Sequence, residues 1–241
     1  MFSLKKTNKK PFVSVVIAAG GSSSRMHGEN KLLAMIADKP VLAHTLLAFE
    51  KCDLIDEIIL SAHTEKLMEY AAIATRYDIK KLAKVIKGGN TRLQSVYNAA
   101  IEVSPKCDYI LVQDAARPLV TNNDIITVLE YVQKYKAAAA SNKVTDTVKK
   151  TVDGFAIETI DRNTLSTVQT PQGADRDLLL AALKKALENE DGLVTDECSA
   201  LELIGIKPYM APCSSNNIKI TYPEDLFLAN AIYDRRVNEC E

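Results

Sequence analysis

Neither standard nucleotide-loop signature occurs in this 241-residue chain: there is no G-x-x-x-x-G-K-[ST] and no G-x-G-x-x-G. Metal and disulfide frameworks lack support as well. The five cysteines (Cys52, Cys107, Cys198, Cys213, Cys240) form no C-x-x-C pair and are odd in number, which fits reduced thiols in a cytoplasm. His27, His44 and His63 lie scattered, so a zinc site has little basis. An excess of charge is missing too. A formal net charge of −1 makes no electrostatic case for nucleic acid or membrane as the main partner. The apolar run 12–19 is far too short to span a bilayer and lacks a signal-peptide layout. Lys5, Lys6, Lys9 and Lys10, before Pro11, read as a solvated end.

What is present is an ordinary globular composition, 47% hydrophobic and 25% charged, with ample length for a large core. Short apolar runs alternate with helical patterns. Strands are expected over 13–19, 57–61, 84–86 and 109–113, and helices over 40–51, 65–77, 91–102, 123–134 and 177–190. Pro40 is placed in a first helical turn, where its missing donor costs nothing. Thr195-Asp196-Glu197 reads as a helix start, with acids at the positive end of the dipole. Residues 208–211 and 217–221 look extended, and Tyr222-Pro223-Glu224-Asp225 opens a last helix through Tyr233. The alternation predicts an α/β fold with a mostly parallel sheet and helices on both faces. Ligands in such sheets sit beyond the carboxyl ends of the strands.

Residues 143–169 break the rhythm. Two strand-like runs flank Asp153-Gly154, a strong hairpin signal, but they mix lysine and threonine with few large apolar residues. They read as an arm projecting from a single domain spanning 1–241. Packing on a second subunit and a plain surface hairpin both fit that pattern.

The segments that can carry chemistry cluster at predicted strand ends. Val13–Ala19 runs into Gly20-Gly21-Ser22-Ser23-Ser24-Arg25, with Lys31 six residues beyond the arginine. Backbone N–H groups in such a loop can wrap phosphates while two cations neutralise them, although an ordinary βα turn would look the same. Gly88-Gly89-Asn90-Thr91-Arg92 is a second glycine turn opening a helix. Asp114 ends a hydrophobic strand, where a carboxylate suits Mg²⁺ shared with phosphate oxygens. Arg117 is read as clamping Asp114 in a structural ion pair. Arg162 on the arm reads equally as a solvated charge. Lys219, amid Ile218 and Ile220, is either an edge-strand gatekeeper or a phosphate ligand.

In order, the chain carries A-A-G-G-S-S-S-R-M, G-G-N-T-R-x-x-S-V, D-A-A-R-P, D-T-V-K, D-R-N, T-P-Q, T-D-E-x-S-A-L-E and N-I-K-I-T-x-P-E-D-L. Each is weak alone. Eight in order, over residues 13–233, resemble the 2-C-methyl-D-erythritol 4-phosphate cytidylyltransferases of the non-mevalonate isoprenoid pathway. The resemblance implies a Rossmann-like nucleotidyltransferase sheet whose β-arm exchanges contacts across a homodimer. It implies transfer of a cytidylyl group from CTP to the sugar-alcohol phosphate, with release of pyrophosphate and use of Mg²⁺. Ala18, Ala19, Gly20 and Ser22 would contact CTP, and Arg25 and Lys31 would stabilise charge on its phosphates. Gly89, Asn90 and Ser95 would hold the cytidine, and Asp114 and Ala115 the ribose–metal region. Thr147, Arg162 (from the partner subunit), Thr170 and Lys219 would bind the acceptor.

The chain departs from the family pattern in three ways. Arg25 and Lys31 stand one residue closer than expected, and the proline that often precedes that lysine is missing. Asn90 replaces a common aspartate, though an amide can still donate to and accept from a pyrimidine edge. Gln113 replaces a common histidine. The rival readings are a ribitol-5-phosphate cytidylyltransferase, which shares the first loop, T-P-Q and N-I-K, and a non-catalytic nucleotide-binding protein of the same fold. The D-A-A-R-P and D-R-N segments favour the methylerythritol branch.

Overall fold

The computed structural model describes residues 10–21, 26, 30–189 and 194–239. In chain order, β1 (Val13–Ala19) leads to a short hairpin, β2 (Met35–Ile36) and β3 (Lys39–Pro40), and to α1 (Val41–Glu50). Then come β4 (Glu57–Ala62), α2 (Leu67–Arg76), β5 (Leu82–Lys87), α3 (Arg92–Ala100) and β6 (Tyr109–Asp114). The second half holds α4 (Asn122–Tyr135), β7 (Ala137–Lys143), β8 (Val148–Val152), β9 (Phe155–Ile160) and β10 (Ser166–Asp175). It ends with α5 (Arg176–Glu188), α6 (Glu197–Glu202), β11 (Tyr209–Pro212) and α7 (Glu224–Asn238).

Seven strands form one sheet in the order β11-β7-β10-β6-β1-β4-β5. The run β6-β1-β4-β5 is parallel, β10 is antiparallel to both its neighbours, and β11 is parallel to β7. The mostly parallel α/β expectation therefore holds, with β10 as the inverted strand.

β1 shows why helices cover both faces. Its side chains alternate, so Val13, Val15, Ile17 and Ala19 enter one core while Val16 enters the other. The first core takes residues of α1, α2, α4 and α7, and the second those of α3, α5 and α6. A strand buried on both sides must read as a nearly continuous apolar run, which is how this one reads.

Several details differ from the sequence reading. Pro40 stands one step before the first turn of α1, as its N-cap, with extended backbone (φ −65°, ψ 150°) and a place in β3. Residues 217–221 form no strand. They run as irregular chain alongside 116–117, tied by Ile220 N donating to Ala116 O at 2.8 Å and Arg117 Nη1 donating to Asn217 O at 2.7 Å. β7 and the inner half of β10 are additional strands. Of the N-terminal lysines, Lys10 is tied down, with Nζ donating to Asp53 O at 2.7 Å.

The arm separates from the sheet. β8 and β9 pair only with each other among the described residues, and their side chains are almost all exposed. Phe155 is 76% exposed and Ile157 55%, on a hairpin with no core beneath it.

Gly173 on β10 shows how tightly the inverted strand is seated. A Cβ there would lie 2.8 Å from the Ile110 carbonyl oxygen and run into the Leu111 side chain. Gly173→Ala should therefore lower unfolding stability by about 1–3 kcal/mol, the usual cost of overpacking. Urea denaturation measures it, and an unchanged midpoint would contradict this account of the β6–β10 seam.

Candidate active site

The carboxyl ends of β1, β5 and β6 meet at one rim. Ala18 pairs in register with Asp114, and Ala115 N donates back to Ala18 O at 3.1 Å, so both chains leave the sheet together. At β5 the chain turns through Gly88 and Gly89 into α3. Ser95, on the first turns of that helix, is the pin of the turn. Its Oγ donates to Thr91 O at 2.8 Å and accepts from Gly89 N at 3.0 Å. A Cβ on Gly88 would come within 2.7 Å of that hydroxyl, and one on Gly20 within 3.3 Å. Both glycine turns thus close on one serine. Thr91 caps α3 by accepting from Gln94 N at 3.1 Å.

These elements enclose a cavity of about 320 Å³, within the range of small-molecule sites. Ala18, Ala19, Gly20, Lys31, Gly89, Asn90, Ser95, Asp114 and Lys219 line it. All nine are residues singled out in the sequence, brought together from five separate segments. Gly21, Leu32, Thr91, Arg92 and Ala116 complete the lining. Ala115 is buried just behind the rim. Thr170 sits beneath it, its Oγ1 accepting from Asp114 N at 3.1 Å and its carbonyl accepting from Asn217 Nδ2 at 2.7 Å.

Asp114 is the electrostatic centre. Its Oδ2 lies 2.7 Å from Lys219 Nζ and 3.9 Å from Arg117 Nε, and its Oδ1 accepts from Arg92 Nε at 3.1 Å. Burial raises its pKa, but the opposing pull of Arg92, Lys219 and Arg117 is larger in sum and holds the carboxyl at about 2. Arg92 is itself gripped end-on by Glu197, whose two oxygens accept from Nη1 at 2.7 Å and Nη2 at 3.0 Å. Burial pushes the Glu197 carboxyl up against the pull of Arg92, while the two carboxylates keep the guanidinium firmly protonated. Arg92 and Glu197 carried no assigned role in the sequence reading. The available signal was a basic residue in the first turn of a helix, where the dipole disfavours it and an acidic partner is needed.

Lys31 lines the rim of the cavity. Asn30 does the positioning: its Oδ1 accepts from Leu32 N at 3.0 Å, and its Nδ2 donates to the Tyr70 hydroxyl at 2.8 Å. Ser22 and Arg25 lie outside the described residues. Thr147 and Arg162 do not join this cavity. They stand exposed on the arm, where Arg162 Nη1 donates to Thr145 O at 2.5 Å. Gln113 is fully buried and turns its Nε2 toward Arg117 O at 3.4 Å.

No group of three or more His, Cys, Asp or Glu side chains is arranged to hold a metal among the described residues. Among the described residues, Asp114 is the one acidic side chain that lines the cavity. No helix among the described residues is long and apolar enough to cross a membrane.

The depressed pKa of Asp114 has a thermodynamic sign. Its charged form is favoured in the folded protein, so its contribution is complete above about pH 4 and is lost as pH falls toward 2. Chemical denaturation through that window should show a fall in stability that is shallower in Asp114→Asn, by roughly 2 kcal/mol over the interval. Parallel curves for the two proteins would contradict the assignment.

The family model for 2-C-methyl-D-erythritol 4-phosphate cytidylyltransferase (IspD) matches residues 13–235. The protein of that name from Bacillus cereus is 41% identical over 219 residues, covering 90% of this chain and 96% of the relative. Its Clostridium botulinum counterpart is also 41% identical, covering 92% and 97%. Among solved structures, the 4-diphosphocytidyl-2C-methyl-D-erythritol synthase of Anaerococcus prevotii superposes with a TM-score of 0.84 at 28% identity, covering 93% of this chain and 97% of that one. The Francisella tularensis cytidylyltransferase gives 0.76 at 30% identity, with 91% and 99% covered. With the family model matched over residues 13–235 and relatives 41% identical over nine-tenths of its length, this chain belongs to the 2-C-methyl-D-erythritol 4-phosphate cytidylyltransferase family.

Proposed function

We propose that this protein transfers the cytidylyl group of CTP to 2-C-methyl-D-erythritol 4-phosphate, giving 4-diphosphocytidyl-2-C-methyl-D-erythritol and pyrophosphate. The observation that carries the reading is the convergence, in a member of this family, of two glycine turns with Lys31 and Lys219 around Asp114. An oxygen of the acceptor phosphate attacks the α-phosphorus of CTP, and the bond from that phosphorus to the β-phosphate bridge breaks as pyrophosphate leaves. No protein nucleophile is needed, because a phosphate monoester with a second pKa near about 6 is already largely ionised at neutral pH. The difficulty is bringing two anions together, so the protein contributes orientation and fixed positive charge.

In this reading the first glycine turn, Ala18 to Gly20 with Ser22, cradles the phosphates, and Arg25 and Lys31 offset charge on the α-phosphate and the leaving group. Gly89, Asn90 and Ser95 hold the base, with Asp114 and Ala115 at the ribose. Lys219 and Thr170 lie on the acceptor side. Magnesium fits one carboxylate plus phosphate oxygens. Asp114 is the carboxylate among the described residues lining the cavity, but its oxygens already meet Lys219, Arg92 and Arg117, so the phosphates would supply most of the ligands. The ion, bound mainly through CTP, would neutralise phosphate charge.

Thr147 and Arg162 complete the acceptor site from the second subunit of a homodimer. Their exposure on an arm that also shows Phe155, Ile157 and Val152 to solvent supports this. The chain is then one nucleotidyltransferase domain, with 143–169 as its dimerisation arm. Unpaired Cys52, Cys107, Cys198 and Cys213 fit a cytoplasmic setting.

Pyrophosphate release with CTP and each acceptor tests the activity. Turnover with ribitol 5-phosphate alone would replace the acceptor assignment, and CTP binding without any product would leave a nucleotide-binding protein. Lys31→Ala should lower kcat on the order of 10²-fold or more. Arg162→Ala should raise KM for the acceptor and leave CTP affinity intact, as read by calorimetry. Mixing the two impaired variants should raise activity in exchanged heterodimers above that of either alone, and no recovery would remove Arg162 from the partner's site.

A further inference from the structure

Lys31 is a long, flexible side chain, and the backbone on both sides of it is fastened. It sits in a turn over residues 30–33. Leu33 N donates to Asn30 O at 2.9 Å, and Asn30 Oδ1 accepts from Leu32 N at 3.0 Å. Both bonds close over Lys31, so Asn30 sets the direction in which the lysine leaves the chain. Beyond the lysine, the turn is tied to the start of α1. Leu32 O accepts from Leu42 N at 3.0 Å, Ala34 O accepts from Val41 N at 2.9 Å, and the Leu32 side chain is buried.

Before the lysine, the tie runs to α2. Asn30 Nδ2 donates to the Tyr70 hydroxyl at 2.8 Å. Tyr70 is 2% exposed and packs into the core that also takes α1, so its ring stands on a fixed base. Phenylalanine would fill the same space. A hydroxyl withdrawn from water costs free energy unless it is bonded, so packing alone gives no reason for it. The bond to Asn30 supplies one. Neither Tyr70 nor Asn30 is among the described residues that line the cavity.

We propose that Tyr70 is a positioning residue for Lys31: its hydroxyl anchors the Asn30 amide to α2, and that amide fixes the turn from which the lysine reaches the cavity. This rests on the reading that Lys31 offsets charge on the phosphates of CTP. A fixed charge stabilises a transition state only from the right place, and a displacement of about 1 Å can cost on the order of 10²-fold in rate.

The test is steady-state pyrophosphate release with CTP and 2-C-methyl-D-erythritol 4-phosphate, read as a double-mutant cycle. Tyr70→Phe should lower kcat about 10-fold, a part of that positioning cost, and leave KM for the acceptor unchanged. On the Lys31→Ala background the same change should alter kcat by less than about 2-fold, because the group it positions is gone. The loss in Asn30→Ala should likewise not grow when Tyr70→Phe is added. That arm decides the question if Lys31→Ala turns over too slowly to read. A tyrosine that served the fold alone would give losses that multiply with those of Lys31→Ala and Asn30→Ala. That result, or an unchanged kcat in Tyr70→Phe, would overturn the proposal. If Lys31→Ala keeps full kcat, the reading of Lys31 fails first and the role of Tyr70 goes with it.

Discussion

A carboxylate that is almost wholly buried at the end of a central strand is costly unless its charge is met, and meeting it organises this molecule. Asp114 draws in Arg92 from α3, Arg117 from the turn that follows β6, and Lys219 from the irregular chain before α7. These groups come from well-separated parts of the sequence, so one charge fixes where three segments stand. Arg92 then brings Glu197 and α6, and Thr170 under the Asp114 amide brings β10. The parallel sheet sets the rim, and this cluster sets what stands on it. Its positive surplus is also what a nucleotide carrying several negative charges needs to meet.

How much of this was legible in the sequence depended on how local the cause was. β1 announced itself because burial on both faces leaves a continuous apolar run, and α3 because its cap and glycine turn are local chemistry. β7 stayed hidden. Its first four residues are alanines, which have low strand propensity, and they form a strand because β10 and β11 pair on either side. The inner half of β10 carries Pro171 and Gly173, which disfavour a strand interior, yet Gly173 is there because Leu111 and the Ile110 carbonyl leave no room. The segment around Lys219 looked like a strand from its alternation, but hydrogen bonds to residues 116 and 117 hold it in irregular form.

The site divided along the same line. Motif order brought nine of the lining residues to notice, since the glycine turns, Asp114 and Lys219 each have a recognisable local setting. The Arg92–Glu197 pair did not stand out, because its meaning lies in a contact between residues 105 positions apart. Asn30 is a further long-range case, its side-chain amide holding the backbone beside Lys31 through bonds to Leu32 N and the Tyr70 hydroxyl.

The inversion of β10 has a consequence for how such a protein can change. Because β7 and β10 run antiparallel side by side, the chain leaves the sheet and returns to it at the same edge of the same pair. The excursion between Lys143 and Ser166 crosses no other connection and carries no core residue. Each doubling of such an excursion adds only about 0.6 kcal/mol of closure entropy. The hairpin can thus be lengthened, reshaped or rewritten while the sheet behind it stays as it is. The layers of the fold and the sequence of the arm can therefore change almost independently of each other.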